Sequence, residues 1–118
     1  MSKSSNRTDP AVILDLGEGR DGVASVAVGE HLEIDLTSPG TTGYLWELDA
    51  DEQQSRLISR AIASDERTFG GRGRVRFVVQ PLQPGIVELR LRLRAQWEEA
   101  PIREHHVRLQ VHQNPGGN

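Results

Sequence analysis

The amino-acid sequence predicts an all-β protein, because apolar and polar residues alternate one by one along much of the chain. The alternation is clearest in residues 87–95, where Val, Leu and Ala at odd positions alternate with Glu and Arg at even positions. No segment shows the long apolar repeat of about 3.6 residues that indicates an amphipathic helix. Short alternating segments with turn residues between them are typical of a sandwich. We therefore predict an immunoglobulin-like antiparallel β-sandwich of about seven to eight strands.

The predicted strands are separated by glycine, proline, asparagine or acidic residues, which favour turns. Clean alternation predicts strands at residues 32–36, 75–79, 87–95 and 107–111. Less regular patterns predict strands at residues 11–16, 22–28, 43–49 and 57–64. In residues 49–57, where acidic residues and glutamines cluster, a helical turn is an alternative to a strand.

The length predicts a single domain. A chain of 118 residues can bury one hydrophobic core but is short for a multidomain enzyme. We predict that this domain spans residues 10–112 and is a monomer. The polar residues 1–9 and the Pro- and Gly-containing residues 113–118 are predicted to be mobile tails.

The composition excludes several classes of function. Hydrophobic residues make up 36% of the chain, charged residues 26%, and the net charge is -3, so neither a disordered protein nor a strongly basic nucleic-acid binder is favoured. The chain has no cysteine, which excludes disulfides, thiolate metal sites and a cysteine nucleophile. The apolar run 11–14 is too short for a membrane span or a signal sequence. We expect a cytoplasmic protein that does not bind membranes. A secreted or periplasmic protein is the alternative, if a signal sequence has been removed from the start of this chain.

The segment "SPGTTGYLW", residues 38–46, stands out between two predicted strands. Pro39 stiffens it by fixing φ, and Gly43 stands where a positive φ is expected. Tyr44 and Trp46 share one face of the following strand, so at least one of the two rings can brace the loop from below. The alternative is an ordinary hairpin connection with aromatic core residues behind it.

Further motifs follow in a recognisable order: "FGGRGRVRF", a "PLQPG" turn, and an alternating strand that ends in "RAQW". Together with "GTTGYLW" they resemble the chagasin-type inhibitors of papain-like cysteine proteases, from about residue 30 to residue 111. In that family an immunoglobulin-like sandwich presents three loops at one end, and they enter the protease cleft together. The implied protease-binding residues are Thr41, Thr42, Gly43, Tyr44, Gly70, Gly71, Arg72, Gly73 and Trp97.

The resemblance assigns roles to these residues. Thr41 and Thr42 would lie over the catalytic Cys-His pair of the protease, and Gly43 would let the backbones approach. Arg72 would reach an acidic rim of the cleft, and Trp97 would be the dominant contact. The alternatives are a merely flexible second loop and a core position for Trp97, which continues the apolar face of residues 87–95.

The sequence departs from the family pattern in all three loops. Pro39 and Gly40 stand where the family has Asn-Pro, and Arg72 replaces a glycine of Gly-x-Gly-Gly. The family triplet Arg-Pro-Trp is here Ala95, Gln96 and Trp97. Arg94 precedes this triplet and is predicted to point to the opposite face of the strand, where it would be a poor substitute for the missing arginine.

Two residues, Trp46 and Phe77, are predicted to support the loops rather than to contact the protease. We predict no catalytic residues, no metal and no cofactor. His105 and His106 are adjacent on a predicted strand and so face opposite ways, which does not suit chelation. Glu98 and Glu99 are predicted to be solvated acids.

Two alternatives concern function. The arginines of the predicted strands could bind nucleic acid, although cross-strand pairing with acids is the more ordinary role, so no nucleic-acid partner is expected. The altered third loop leaves open a sandwich adaptor that binds another protein through the same end without inhibiting a protease.

Overall fold

The computed structural model describes residues 10–38, 43–64, 73–95 and 97–113. These residues form strands and no helix. The strands are β1 (Val12–Asp15), β2 (Gly22–Ala27), β3 (Leu32–Thr37), β4 (Tyr44–Asp49), β5 (Ser55–Ser64), β6 (Gly73–Pro81), β7 (Gly85–Ala95) and β8 (Arg103–His112). Each lies where the alternation of the sequence predicts a strand. The predicted tails, residues 1–9 and 113–118, lie outside the described residues except for Gln113.

The strands form two four-stranded sheets. The first sheet has the order β1-β3-β6-β5, and the second has the order β2-β8-β7-β4. The prediction of a sandwich is therefore confirmed, but the pairing is not antiparallel throughout, because β1 with β3 and β2 with β8 are parallel. A hairpin makes two strands antiparallel, but neither of these pairs is joined by one. The chain leaves the first sheet for β2 between β1 and β3, and five strands separate β2 from β8.

The segment between β4 and β5 is a single hydrogen-bonded turn with an i→i+4 bond, which is the helical turn that the sequence left open as an alternative. The carbonyl of Asp51 accepts hydrogen bonds from the N–H groups of Gln54 and Ser55, at 2.9 and 3.0 Å. The Asp51 carboxylate accepts a further bond from the Gln53 N–H at 2.9 Å. An aspartate that caps its own turn in this way ends one strand and allows the next to begin at Ser55.

The core lies between the sheets and is built from alternate residues of the strands. All five apolar side chains of the alternating segment 87–95 are buried. Trp46 and Phe77 are the largest fully buried side chains. The other members include Leu32, Ile34, Leu36, Val75, Val79, Val107, Leu109 and Val111.

The edge strand β5 buries less than its pattern suggests. Leu57, Ile58 and Ile62 are exposed, and the pairing with β6 shifts register between Leu57 and Ser59. A bulge of this kind, with charged neighbours such as Arg60 in the same strand, makes an edge less able to pair with another chain.

A buried group of charges lies on the outer face of the first sheet. Glu33 and Asp35 are both buried on β3, and the Arg76 Nε lies 2.8 Å from a Glu33 oxygen and 3.2 Å from an Asp35 oxygen. Burial raises the pKa of Glu33, and so does the neighbouring Asp35, whereas Arg76 acts in the opposite direction. The folded protein therefore holds a proton on Glu33 to higher pH than the unfolded chain does.

This shift predicts a pH dependence of stability that a Glu33→Gln variant should remove. An acid whose pKa is raised on folding stabilises the protein fully below its ordinary pKa of 4.5, and this contribution is lost as the pH rises through the folded-state value. The parent should therefore lose stability relative to the variant between about pH 4 and about pH 7, as measured by urea unfolding at both pH values. Glu88→Gln controls for the loss of one negative charge at an exposed position. A parent-to-variant difference that does not change with pH would contradict the prediction.

Candidate functional site

Several connections between strands lie at one end of the sandwich. The register places the strand ends there at matching levels, since Thr37 pairs with Arg74, Tyr44 with Ala95, and Leu93 with Arg103. We call residues 38–43 loop one, residues 65–72 loop two and residues 96–102 loop three. The β1–β2 turn, residues 16–21, lies at the same end, because the Thr37 N–H donates to the Gly17 carbonyl at 2.7 Å. The topology thus brings together the three segments that the sequence motifs single out.

Part of the predicted site lies outside the described residues. These positions are Thr41, Thr42, Gly70, Gly71 and Arg72. The remaining predicted residues, Gly43, Tyr44, Gly73 and Trp97, all lie at the loop end of the sandwich.

Gly73 is the first residue of β6 and joins the bases of loops one and two. Its carbonyl accepts a hydrogen bond from the Ser38 N–H at 2.8 Å. Gly73 was predicted as a member of the second loop, but the structure places it in the sheet, where its backbone pairs with Ser64. It therefore fixes the distance between the two loops at their bases.

Gly43 meets two separate demands that only glycine satisfies easily. Its φ is +97°, in the left-handed region predicted from the sequence. A Cβ at this position would lie only 2.5 Å from Cζ3 and 2.7 Å from Cη2 of Trp97. The indole ring of loop three therefore rests directly on the backbone of loop one, and any larger residue at position 43 would push it away.

Trp97 is an exposed loop residue, and the alternative that it belongs to the core is wrong. The exposed fraction of Trp97 is 67%, whereas Ala95 is buried. Strand β7 ends at Ala95, and the Glu98 N–H donates to the Ala95 carbonyl at 3.2 Å, so a turn interrupts the alternation before Trp97. The ring also packs edge-on against Tyr44, with 6.0 Å between ring centroids and 64° between planes. A large aromatic held in the open in this way is typical of an interaction site.

Trp46 supports the base of loop one from inside the core. Its side chain is fully buried, and its Nε1–H donates to the carbonyl of Thr37, the last residue of β3, at 3.1 Å. Its ring packs against His105, with 6.3 Å between ring centroids. The two aromatic residues of the first motif therefore have different contacts. Trp46 bonds the residue that precedes loop one, and Tyr44 contacts Trp97 of loop three.

Arg94 lies beside the predicted site, and the sequence does not reveal its contacts. It points to the outer face of the second sheet, as the parity of β7 predicts, and pairs there with Glu47 of β4 at 2.7 Å. Its Nη1 also donates to the carbonyl of Glu98, in loop three, at 2.8 Å. The hydrogen bond from Arg94 lowers the pKa of Glu47. The pairing of Arg94 with Glu47 could be predicted from the sequence only if the register between β4 and β7 were already known.

Comparison with families of known proteins decides what kind of chain this is. The model of the "Chagasin family peptidase inhibitor I42" matches residues 25–111, which is most of the 118 residues. The chain belongs to the chagasin family. The resemblance found in the sequence motifs is thereby confirmed, and this chagasin-family protein is a peptidase inhibitor rather than an enzyme.

Solved structures show the same fold. The cysteine protease inhibitor EhICP2 from Entamoeba histolytica is similar with a TM-score of 0.72 and 19% sequence identity, over 87% of this chain and 99% of that chain. The solution structure of Amebosin is similar with a TM-score of 0.62 and 23% identity, over 87% of this chain and 99% of that chain. A search of curated protein sequences found no match.

Several other charged residues of this chagasin-family chain form ion pairs on a solvent-exposed sheet face. On the outer face of the second sheet the arginines pair with acids, as in the pairs Arg90–Glu104 at 3.2 Å, Arg92–Asp49 at 4.0 Å and Arg108–Glu88 at 3.3 Å. This cross-strand pairing is the arrangement that the sequence predicted as the ordinary role of these arginines. The positive charge is therefore largely neutralised on this face, which does not favour nucleic-acid binding.

The histidines are separated, as their adjacency in a strand predicts. His105 faces inward to Trp46 and lies 3.5 Å from the Asp21 carboxylate, while His106 lies on the outer face 3.6 Å from Glu104. The described part of the chain contains no group of three or more His, Cys, Asp or Glu residues that could hold a metal. Within the same residues, the chain forms no helix that could span a lipid bilayer.

The contact between Gly43 and Trp97 predicts a specific effect of Gly43→Ala. The substitution adds strain at a positive φ, about 1–2 kcal/mol, and also displaces the Trp97 ring. Gly29→Ala is a matched control, because Gly29 also has a positive φ of +87° but nothing within 4 Å of the added Cβ.

Urea unfolding and nuclear Overhauser contacts between the Tyr44 and Trp97 rings measure the two effects. Both variants should be destabilised, but only Gly43→Ala should lose the ring contacts. Retention of those contacts in Gly43→Ala would show that Trp97 does not rest on this glycine.

Proposed function

We propose that this protein is a reversible, competitive inhibitor of papain-like cysteine proteases, and that loops one, two and three enter the active-site cleft together. One observation supports the proposal most directly. In this chagasin-family sandwich, the ends of the three loops lie together at one end of the two sheets. Loop one is bonded to Gly73 at the base of loop two, and it carries the ring of Trp97 from loop three. A wedge of three loops needs this mutual support, because each loop would otherwise be ordered only on binding.

Contacts that hold the described ends of the loops suit inhibition in two ways. A loop that is already ordered loses less conformational entropy when it binds. A loop that cannot take the extended form of a substrate also keeps its carbonyls out of position for attack by the protease. The positive φ of Gly43 and the Trp46 bond to Thr37 fix the backbone at the two described ends of loop one.

The class of target follows from the family and its relatives. EhICP2, which shares the fold, is a cysteine protease inhibitor. We assign Thr41, Thr42, Gly43 and Tyr44 to the part of the wedge nearest the catalytic Cys-His pair. Gly70, Gly71, Arg72 and Gly73 would line one wall of the cleft, and Trp97 would contact the other. Three such loops can supply an interface of standard size, about 800 Å² per partner.

A titration of the protein into papain and into a cathepsin-like protease, with a fluorogenic peptide substrate, tests the proposal. We expect dose-dependent, competitive inhibition of both enzymes and no inhibition of a serine protease. Absence of inhibition at micromolar concentration, with circular dichroism showing folded protein, would overturn the proposal and favour the adaptor function.

Trp97→Ala should separate binding from folding. Truncation of a large aromatic at the centre of an interface costs ~2 kcal/mol or more, so we expect the inhibition constant to rise by about 30-fold. The melting temperature should change little, because the side chain is 67% exposed. The control is Ile86→Ala, which truncates an exposed apolar residue at the other end of β7 and should leave inhibition unchanged. Equal inhibition by Trp97→Ala and the parent would remove Trp97 from the binding surface.

A further inference from the structure

Arg94 connects three parts of the loop end through one guanidinium group. Its Nη2 and Nε bond the two carboxylate oxygens of Glu47, on β4, at 2.7 and 3.3 Å. Its Nη1 donates to the carbonyl of Glu98, one residue after Trp97, at 2.8 Å. Strand β7, strand β4 and loop three are therefore held by a single planar side chain.

The geometry of this contact is that of a brace. The guanidinium presents its donors in a rigid fork, so a carboxylate bound by two of the nitrogens fixes the direction of the third. Glu47 itself is held by β4, which pairs with β7 along its full length. The carbonyl of Glu98 thus meets a donor that cannot rotate away. The side chains of Arg94 and Glu47 are 31% and 36% exposed, so solvent weakens the attraction and the contact matters more for position than for stability.

Loop three needs such a brace because its sequence does little to order it. Its ends are closed by the bond from the Glu98 N–H to the Ala95 carbonyl, at 3.2 Å, and by the bond from the Ile102 N–H to the Leu93 carbonyl, at 2.9 Å. Gln96 places no covalent restriction on φ, as a proline at that position would. The Glu98 carbonyl lies between these closures, next to the residue that carries the exposed ring.

We propose that Arg94 is the positioning residue that holds loop three in the arrangement that binds the protease, with Trp97 against Gly43 and Tyr44. The effect of Arg94 on the loop stands on the contacts described above, and only its consequence for inhibition rests on the proposed function. Without the brace, loop three populates other arrangements. The apparent dissociation constant is the intrinsic one divided by the fraction of molecules in the binding arrangement, so it rises as that fraction falls.

The test compares Arg94→Ala with Arg92→Ala in the full chain. Arg92 is a matched control, because it lies two residues earlier on the same face of β7, is similarly exposed at 33%, and pairs with Asp49 rather than with loop three. In the free protein, amide hydrogen exchange of Glu98 and Ile102 and nuclear Overhauser contacts between the rings of Tyr44 and Trp97 report the order of loop three. Inhibition of papain reports the consequence for binding.

We expect Arg94→Ala to accelerate exchange at both amides, to weaken the ring contacts and to raise the inhibition constant about tenfold. Arg92→Ala should do none of these. Arg94→Lys, which keeps the charge but not the fork, should resemble Arg94→Ala in the ring contacts and in inhibition.

Three results would count against the proposal. Unchanged exchange and ring contacts in Arg94→Ala would overturn the brace. Equal loosening in Arg92→Ala would show a general effect of removing a sheet arginine. A loosened loop with unchanged inhibition would overturn the link to binding. If the parent protein inhibits no cysteine protease, the proposed function fails, yet exchange and ring contacts still decide whether Arg94 orders loop three.

Discussion

The buried indole of Trp46 is the contact on which the loop end of the molecule depends. Its ring is buried in the core between the sheets. Its Nε1–H, at the margin of the core, donates a hydrogen bond to the carbonyl of Thr37, where β3 ends. A buried indole N–H without a partner would be costly, so the position of Thr37 is tied to the packing of the core. Loop one therefore begins at a point that the sandwich itself fixes. The packing of the core therefore also sets where loop one begins.

Further contacts join the described residues at the ends of the loops. Ser38 bonds to Gly73, which sets the base of loop two against loop one, and the bare backbone of Gly43 provides the surface on which Trp97 rests. Arg94 completes the arrangement on the outer face by holding the Glu98 carbonyl. An inhibitor that is ordered before binding loses little entropy in the complex. Under the proposed function, the contacts within the loop end therefore contribute to affinity alongside the contacts with the protease.

The charged residues of the sheets serve different purposes on the two outer faces. On the second sheet, exposed arginines and acids pair across strands, and such pairs contribute little to stability but keep the surface solvated. On the first sheet, Glu33 and Asp35 are buried beside Arg76, and burial together with the neighbouring Asp35 raises the pKa of Glu33. Arg94 differs from its neighbours because its pairing partner leaves one donor free to hold a loop.

The sequence by itself determined where the strands lie and which face of most of them is buried, since these depend on local alternation, although β5 is more exposed than its pattern suggests. It also predicted that Gly43 has a positive φ. Its motifs also identified the family. The tertiary structure alone decided that two strand pairs are parallel, that Gly73 belongs to a strand, and that Trp97 is exposed rather than buried. It alone showed the partners of Arg94. The physical reason is that strand pairing, and the contact of Trp97 with Gly43 and Tyr44, join residues far apart in the chain. Periodicity shows only which residues of one segment share a face.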